Sequence, residues 1–287
     1  MFWHTTRHRI DLAITRVMGI VNLTPDSFSD GGQFDSARAA ITHCERLLHE
    51  GADMLDLGGE SSRPGAQPVS WQDEWQRVQP VLQAALTLGC PISLDTTKPQ
   101  LMQRALALGV DIVNDIHALQ SPDAEAAVAA HPSCGVCLMH MQGRPQDMQS
   151  APGYADVVHE VRDFLAKRVD ALTRLGVAGQ RIVIDPGIGF GKTPQHNLDL
   201  LRRQSELLAL GRPLLVGWSR KSVLGFVTGK PTHDRLFASV AAALASVQRG
   251  AHIVRVHDVA ATVDALTFWR AAGLGDHRQS ALEENKP

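Results

Sequence analysis

Eight short apolar runs, rich in β-branched residues, alternate along this chain with longer stretches of helical period, and few architectures accept that order. They are RVMGIVN (16–22), MLDLGG (54–59), PISLDTT (91–97), DIVNDI (111–116), GVCLMH (135–140), RIVIDPG (181–187), PLLVGWS (213–219) and HIVRVH (252–257). Runs that stay apolar at successive positions suit strands buried on both faces, as in parallel sheets. The segments between them are rich in Ala and Leu; SARAAITHCERLLHEG, for instance, opens on a Ser cap and stops at Gly51. Eight βα units in 287 residues match the size and order of a TIM (β/α)8 barrel, with a doubly wound open sheet as the alternative. No linker or low-complexity tract divides the chain. The expectation is one domain, with an N-terminal extension at 1–15, a barrel over 16–275 and a polar tail at 276–287.

Polar chemistry collects where these runs end. VNLTPDSFSDGG (21–32) brings an Asn, two Asp, three hydroxyls and a Gly pair directly behind the first run. The later ends carry Asp56, Asp95, Asn114 with Asp115, His140, Asp185, Ser219 and the pair Arg255 and His257. Any one of these acids alone suits a helix cap. A ring of them at the C-terminal ends of barrel strands, where such folds build their active sites, reads as a site.

Charge and length limit what that site serves. Basic and acidic residues nearly cancel, 28 against 30, for a formal net charge of −2, so no nucleic-acid partner is expected. No apolar run approaches the ~20 residues of a membrane helix, and MFWHTTRHRIDL lacks a signal peptide's apolar core. A soluble, cytoplasmic protein without a membrane partner is expected, and four cysteines, too few for a disulfide scaffold, agree with a reducing compartment.

Arg255 and His257 lie two apart on the last strand, so they share a face, and Arg63 in GGESSRPGA can reach over from the second loop. Such a cationic clamp suits a phosphorylated or pyrophosphorylated ligand; the alternative is that the arginines pair with Asp56 or Asp258. Asp95 and Asp185, near the barrel axis, suit the N–H groups of a guanidine-like heterocycle, and Asn114 both gives and accepts. Lys221 offers a donor to a carbonyl or ring nitrogen, unless it pairs with Asp185, and Ser222 opens the next helix. PGIGFGKT (186–193) imitates a phosphate loop but has Pro186 where that pattern needs Gly. Cys134 and Cys137, an odd number of positions apart, point to opposite faces of a strand and cannot chelate together. His43 and His196 fall in helical segments and read as ordinary surface or interface residues.

The motifs VMGIVNLTPDSFSDGG, DLGGESSRPGA, SLDTTKP, VNDI, LMHMQG, DPGIGFGK and LLVGWSRKS, in this order along nearly the whole chain, resemble those of the bacterial dihydropteroate synthase family. The resemblance implies a barrel that joins 6-hydroxymethyl-7,8-dihydropterin diphosphate to 4-aminobenzoate, a step of folate synthesis and the target of sulfonamides. It implies that Asp95, Asn114, Met139, Asp185 and Lys221 hold the pterin. Asn22, Ser62, Arg63, Arg255 and His257 would bind the diphosphate. Phe28, Pro64, Phe190, Lys221 and Ser222 would take the aminobenzoate. Asn22 and Asp30 would stand near a Mg²⁺ that keeps several waters. Asp95, Asp185, Lys221, Arg63, Arg255 and His257 would be the catalytic set, and a homodimer is implied. Ser62, Trp218 and Ile188 stand where Thr, Met and Phe are common in the enterobacterial form, and Trp218 is expected to bear on inhibitor fit. A pterin-dependent methyltransferase and a catalytically silent, pterin-binding paralogue are the rival readings.

Overall fold

The computed structural model describes residues 1–24 and 32–274, and of 32–35 the backbone alone. Phe28, Asp30 and the tail at 276–287 lie outside the described residues. Two short strands, β1 (Phe2–His4) and β2 (Arg9–Asp11), pair antiparallel as a hairpin. The barrel strands follow as β3 (Arg16–Asn22), β4 (Met54–Gly58), β5 (Ile92–Asp95), β6 (Ile112–Asp115), β7 (Gly135–Met139), β8 (Ile182–Asp185), β9 (Leu215–Val216) and β10 (Ile253–Val256). They run parallel in the order β8-β7-β6-β5-β4-β3-β10-β9, and a parallel bridge between Ile184 and Leu214 closes the ring. This is the TIM barrel that the alternation predicts.

The helices are α1 (Gly32–His49), α2 (Trp71–Ala85), α3 (Pro99–Leu108), α4 (Pro122–Ala130), α5 (Val157–Arg174), α6 (Pro194–Arg202), α7 (Ser222–Thr228), α8 (Leu236–Val247) and α9 (Val259–Ala271). Local chemistry sets their ends: Ser70 accepts from Asp73 N at the start of α2, and Asp156 accepts from Val158 N and His159 N at the start of α5. Gly109, at φ 95°, stops α3 in the left-handed conformation. The first barrel helix begins at Gly32, upstream of the expected Ser36 cap. The seventh run shrinks to Leu215 and Val216, with Leu214 in a single bridge to Ile184. None of the described helices is long and apolar enough to cross a membrane.

Strand alternation divides the barrel into two cores. Outward-facing Val17, Val21, Leu55, Leu57 and Val113 pack under the helices. Inward-facing Met18, Met54, Ile112, Cys137, Val183, Leu215 and Ile253 form a layer across the barrel's lower end. The hairpin covers that layer from below with Trp3, Ile10 and Leu12. Trp3 is fully buried and donates from Nε1 to Arg181 O at 2.9 Å. The 1–15 segment, expected only as an extension, is thus the floor of the barrel.

Candidate active site

Two to four positions further along the inward faces, the apolar floor gives way to polar groups. The period of two carries Met18 to Asn22, Met54 to Asp56, Ile112 to Asn114, Val183 to Asp185 and Ile253 to Arg255 and His257. Register sets Asp95 beside Gly58 on one strand and Asn114 on the other, and Met139 beside Asp185.

A chain of hydrogen bonds joins this ring. Arg255 Nε donates to Asp56 Oδ2 at 2.6 Å and Nη2 to Asp95 Oδ2 at 2.9 Å, while Asn114 Nδ2 donates to the same Asp56 oxygen at 3.1 Å. Asp56 Oδ1 is buried without a hydrogen-bond partner. Arg255 therefore pairs with carboxylates, as the sequence alternative allowed, and one Arg serves two acids across the barrel. Burial works against its charge, but Asp56 and Asp95 raise Arg255 above its ordinary value. Burial, opposed by Arg255, holds Asp95 above the usual carboxylate range. Burial also pushes Asp185 up to about 6, against a hydrogen bond from Gly187 N at 2.7 Å and the charge of Lys221.

His257 is not the cation the sequence suggested: burial and the adjacent Arg255 push it down to about 3, so its imidazole is neutral. Ser219 orients it, with Oγ 3.0 Å from Nδ1 and accepting His257 N–H at 3.1 Å. The neighbouring Arg220 instead pairs with Asp258.

Lys221 makes no ion pair with Asp185 among the described residues; its Nζ lies 4.1 Å from the centre of the Phe190 ring. Burial and Arg255 pull Lys221 down to about 8. Ser222 is the first residue of α7, directly beyond Lys221. Ser62 lies with Glu60, Asp95, Lys98 and His117 around a cavity of 180 Å³, whereas Arg63 and Pro64 are exposed on the same loop. Glu60 fixes that loop by accepting from Val69 N and from Lys98 Nζ, both at 2.7 Å, and Lys98 also pairs with the buried Glu74. Two larger cavities, of 610 and 440 Å³, lie around the hairpin at the opposite end, so size alone does not locate the site.

Alternation also removes residues from the ring. Asp115 faces outward and accepts from His117 N at 2.8 Å and Leu119 N at 2.9 Å, fixing a turn in which Ala118 and Leu119 have φ of 51° and 54°. His140 meets Phe164 edge-on, with ring centroids 4.9 Å apart. Trp218 packs in the outer core and is 2 % exposed, which sets it outside the polar ring rather than at the pterin end. Cys137 belongs to the inner layer and Cys134 to the outer core, on opposite faces as their spacing requires.

The sequence reading passed over Lys192, which the fold buries at 2 % exposure under the loop joining β8 and α6. Its imitation of a phosphate loop drew attention to a nucleotide rather than to the lysine itself. For Mg²⁺, Asn22 stands on the inward face, while Asp30 is outside the described residues. No group of three or more His, Cys, Asp or Glu side chains among the described residues could hold a metal. A sparse protein donor set fits a hard cation held mainly by ligand oxygens and water.

Residues 18–257 match the family described as pterin binding enzyme. A dihydropteroate synthase of Neisseria meningitidis serogroup C is 53 % identical over 276 residues, which cover 95 % of this chain and 98 % of that one. The structure of Xanthomonas albilineans dihydropteroate synthase with 4-aminobenzoic acid superposes with a TM-score of 0.89 at 47 % identity, covering 95 % of this chain and 99 % of that one. That of Yersinia pestis dihydropteroate synthase in a sulfonamide drug complex gives 0.89 at 42 % identity, with the same coverage.

Proposed function

The chain belongs to the dihydropteroate synthase family of pterin-binding enzymes, and on that footing we propose how its inward ring performs the reaction. It is a transferase of folate synthesis. The pterinylmethyl group of 6-hydroxymethyl-7,8-dihydropterin diphosphate passes to the amino nitrogen of 4-aminobenzoate, giving 7,8-dihydropteroate and pyrophosphate.

The observation that carries the mechanism is the Arg255 bridge between Asp56 and Asp95, which puts a guanidinium and carboxylates at one level of one cavity. Asp185 accepts N–H bonds from the 2-amino pyrimidine edge of the pterin, Asp95 and Asn114 meet its other edge, and Met139 walls it. Lys221 donates to the pterin and, over Phe190, borders the aminobenzoate, whose carboxylate reaches Ser222. Asn22, Ser62, Arg63, Arg255 and neutral His257 donate to the diphosphate. Asn22, with Asp30 from outside the described residues, would hold a Mg²⁺, which when bound would supply charge neutralisation for the leaving group. The C–O bond to the diphosphate breaks with its electron pair leaving on pyrophosphate, and buried carboxylates stabilise the positive charge left on the pterin methylene. The aniline lone pair then forms the C–N bond and the nitrogen releases a proton. No protein nucleophile takes part, so trapping of a covalent enzyme intermediate would overturn this SN1-like course.

The test is pyrophosphate release from the dihydropterin diphosphate with Mg²⁺, with and without 4-aminobenzoate. Aminobenzoate-dependent release with dihydropteroate formed is expected; pterin binding without release would leave a silent paralogue. Sulfonamides should compete with 4-aminobenzoate, and the enzyme should act in the cytoplasm.

The same reading extends to a homodimer. Phe226, Phe237 and Phe268 on α7, α8 and α9 are 72, 85 and 76 % exposed, an apolar set that suits a second copy of this chain. Sedimentation should give a dimer for the wild type and a monomer for Phe237→Glu; a wild-type monomer at all concentrations contradicts it.

A further inference from the structure

Lys192 is the one described lysine that the fold encloses almost completely, at 2 % exposure, and its surroundings use every proton of an ammonium. Nζ lies 2.9 Å from His140 Nδ1 and 3.0 Å from both Gly187 O and Phe190 O. His140 is pushed down to about 3 by burial and by Lys192, so its ring is neutral. Three backbone carbonyls, Gly187 O, Phe190 O and, at 3.4 Å, His140 O, accept from Nζ, one more than the two N–H groups of a neutral amine.

The loop around Lys192 has little freedom. Gly187 and Gly191 have φ of 66° and 61°, and a Cβ at either would fall 1.9 Å from His140 O or 2.2 Å from Gln142 O. Gly189 N donates to Asn197 Oδ1, and Tyr154 Oη donates to Gly191 O. Two groups assigned to substrate hang on this frame. Asp185 Oδ1 accepts from Gly187 N, and the Phe190 ring faces Lys221.

Charge adds a second link. The groups facing Asp185 are Lys221, Arg255 and Lys192, with Cys137 beside it; those facing Lys192 are Asp185, Lys221 and His140. Burial pulls Lys192 down to about 7 while Asp185 supports its charge, and Lys192 in turn lowers Asp185. A loop frame alone would need only hydrogen bonds, whereas this one also sets a lysine close enough to Asp185 for each to shift the other.

We propose that Lys192 is a positioning residue of the transfer reaction, whose ammonium holds Gly187 and Phe190 in register and keeps Asp185 ionised to receive the pterin. This rests on the assignment of Asp185 to the pterin and Phe190 to the aminobenzoate. Lys192→Gln keeps two donors and loses the charge; Lys192→Met loses both. Affinity for dihydropterin diphosphate, followed against pH, should show an acid limb in the wild type that moves up by about one pH unit in Lys192→Gln. Lys192→Met should add a rise of about tenfold or more in KM for 4-aminobenzoate, since Phe190 loses its anchor. A wild type without an acid limb would refute the role of Asp185 itself. A wild-type limb that stays unmoved in Lys192→Gln would refute the role of Lys192. Should both variants fail to fold, lysine ¹³Cε NMR decides the matter. Asp185→Asn should lower the titration midpoints of two buried lysines, Lys221 and Lys192, and a shift confined to one lysine or absent from both overturns the coupling.

Discussion

Asp185 already gives one oxygen to Gly187 N, which leaves the other for a ligand. Asp185→Asn turns that free acceptor partly into a donor facing an N–H, so pterin affinity should fall by about 1.5–3 kcal/mol, the range for a hydrogen bond to a charged group. Calorimetry with dihydropterin diphosphate checks this, and unchanged affinity contradicts the assignment. The pH dependence follows from two signs. Asp185, raised to about 6, accepts only when ionised, so binding weakens as pH falls through that value. Lys221, lowered to about 8, donates as an ammonium, and Lys192, lowered to about 7, loses its own charge just before it, so function declines as pH rises through about 7 to 8. A bell-shaped kcat/KM with limbs in these two ranges is expected, and a profile flat across them would sink both roles. Residue identity alone was enough to propose the ring, because acids and amides recur at strand ends. It was not enough to sort it: Asp115 and His140 stand one position from Asn114 and Met139, and only strand register turns them outward.

Among elements, the loop joining β8 and α6 tolerates change least. Gly191→Ala places a Cβ against the Gln142 carbonyl and forces an L residue to a φ of 61°. Gly211→Ala meets the same φ penalty, at 60°, with nothing within 4 Å. Denaturant midpoints should show a loss of about 1–2 kcal/mol for Gly211→Ala and clearly more for Gly191→Ala, and equal losses would contradict the tight packing. The eight strands were legible because buried parallel strands leave continuous apolar runs. The seventh was overread, since PLLVGW carries no charged or polar side chain before Ser219 but only Leu215 and Val216 form a ladder. The hairpin was invisible for the opposite reason: each of its strands has three residues, too few to display a period.

For the molecule as a whole, that hairpin is a structural test separable from the chemistry. Trp3→Ala empties a fully buried site and should cost about 3–5 kcal/mol, seen as a lower Tm with both KM values unchanged. A large KM change would mean that the floor and the ring are coupled. The floor also settles a matter of traffic. With Trp3, Ile10 and Leu12 sealed against the inner layer, the lower end is closed among the described residues, and whatever reaches Asp185 has its doorway at the strand ends. Arriving pterin, departing pyrophosphate and finished pteroate must use it in turn, so a molecule lodged in that doorway obstructs all three. Aminobenzoate arriving first would stand in the way of the pterin, and turnover would slow as aminobenzoate is raised far above its KM.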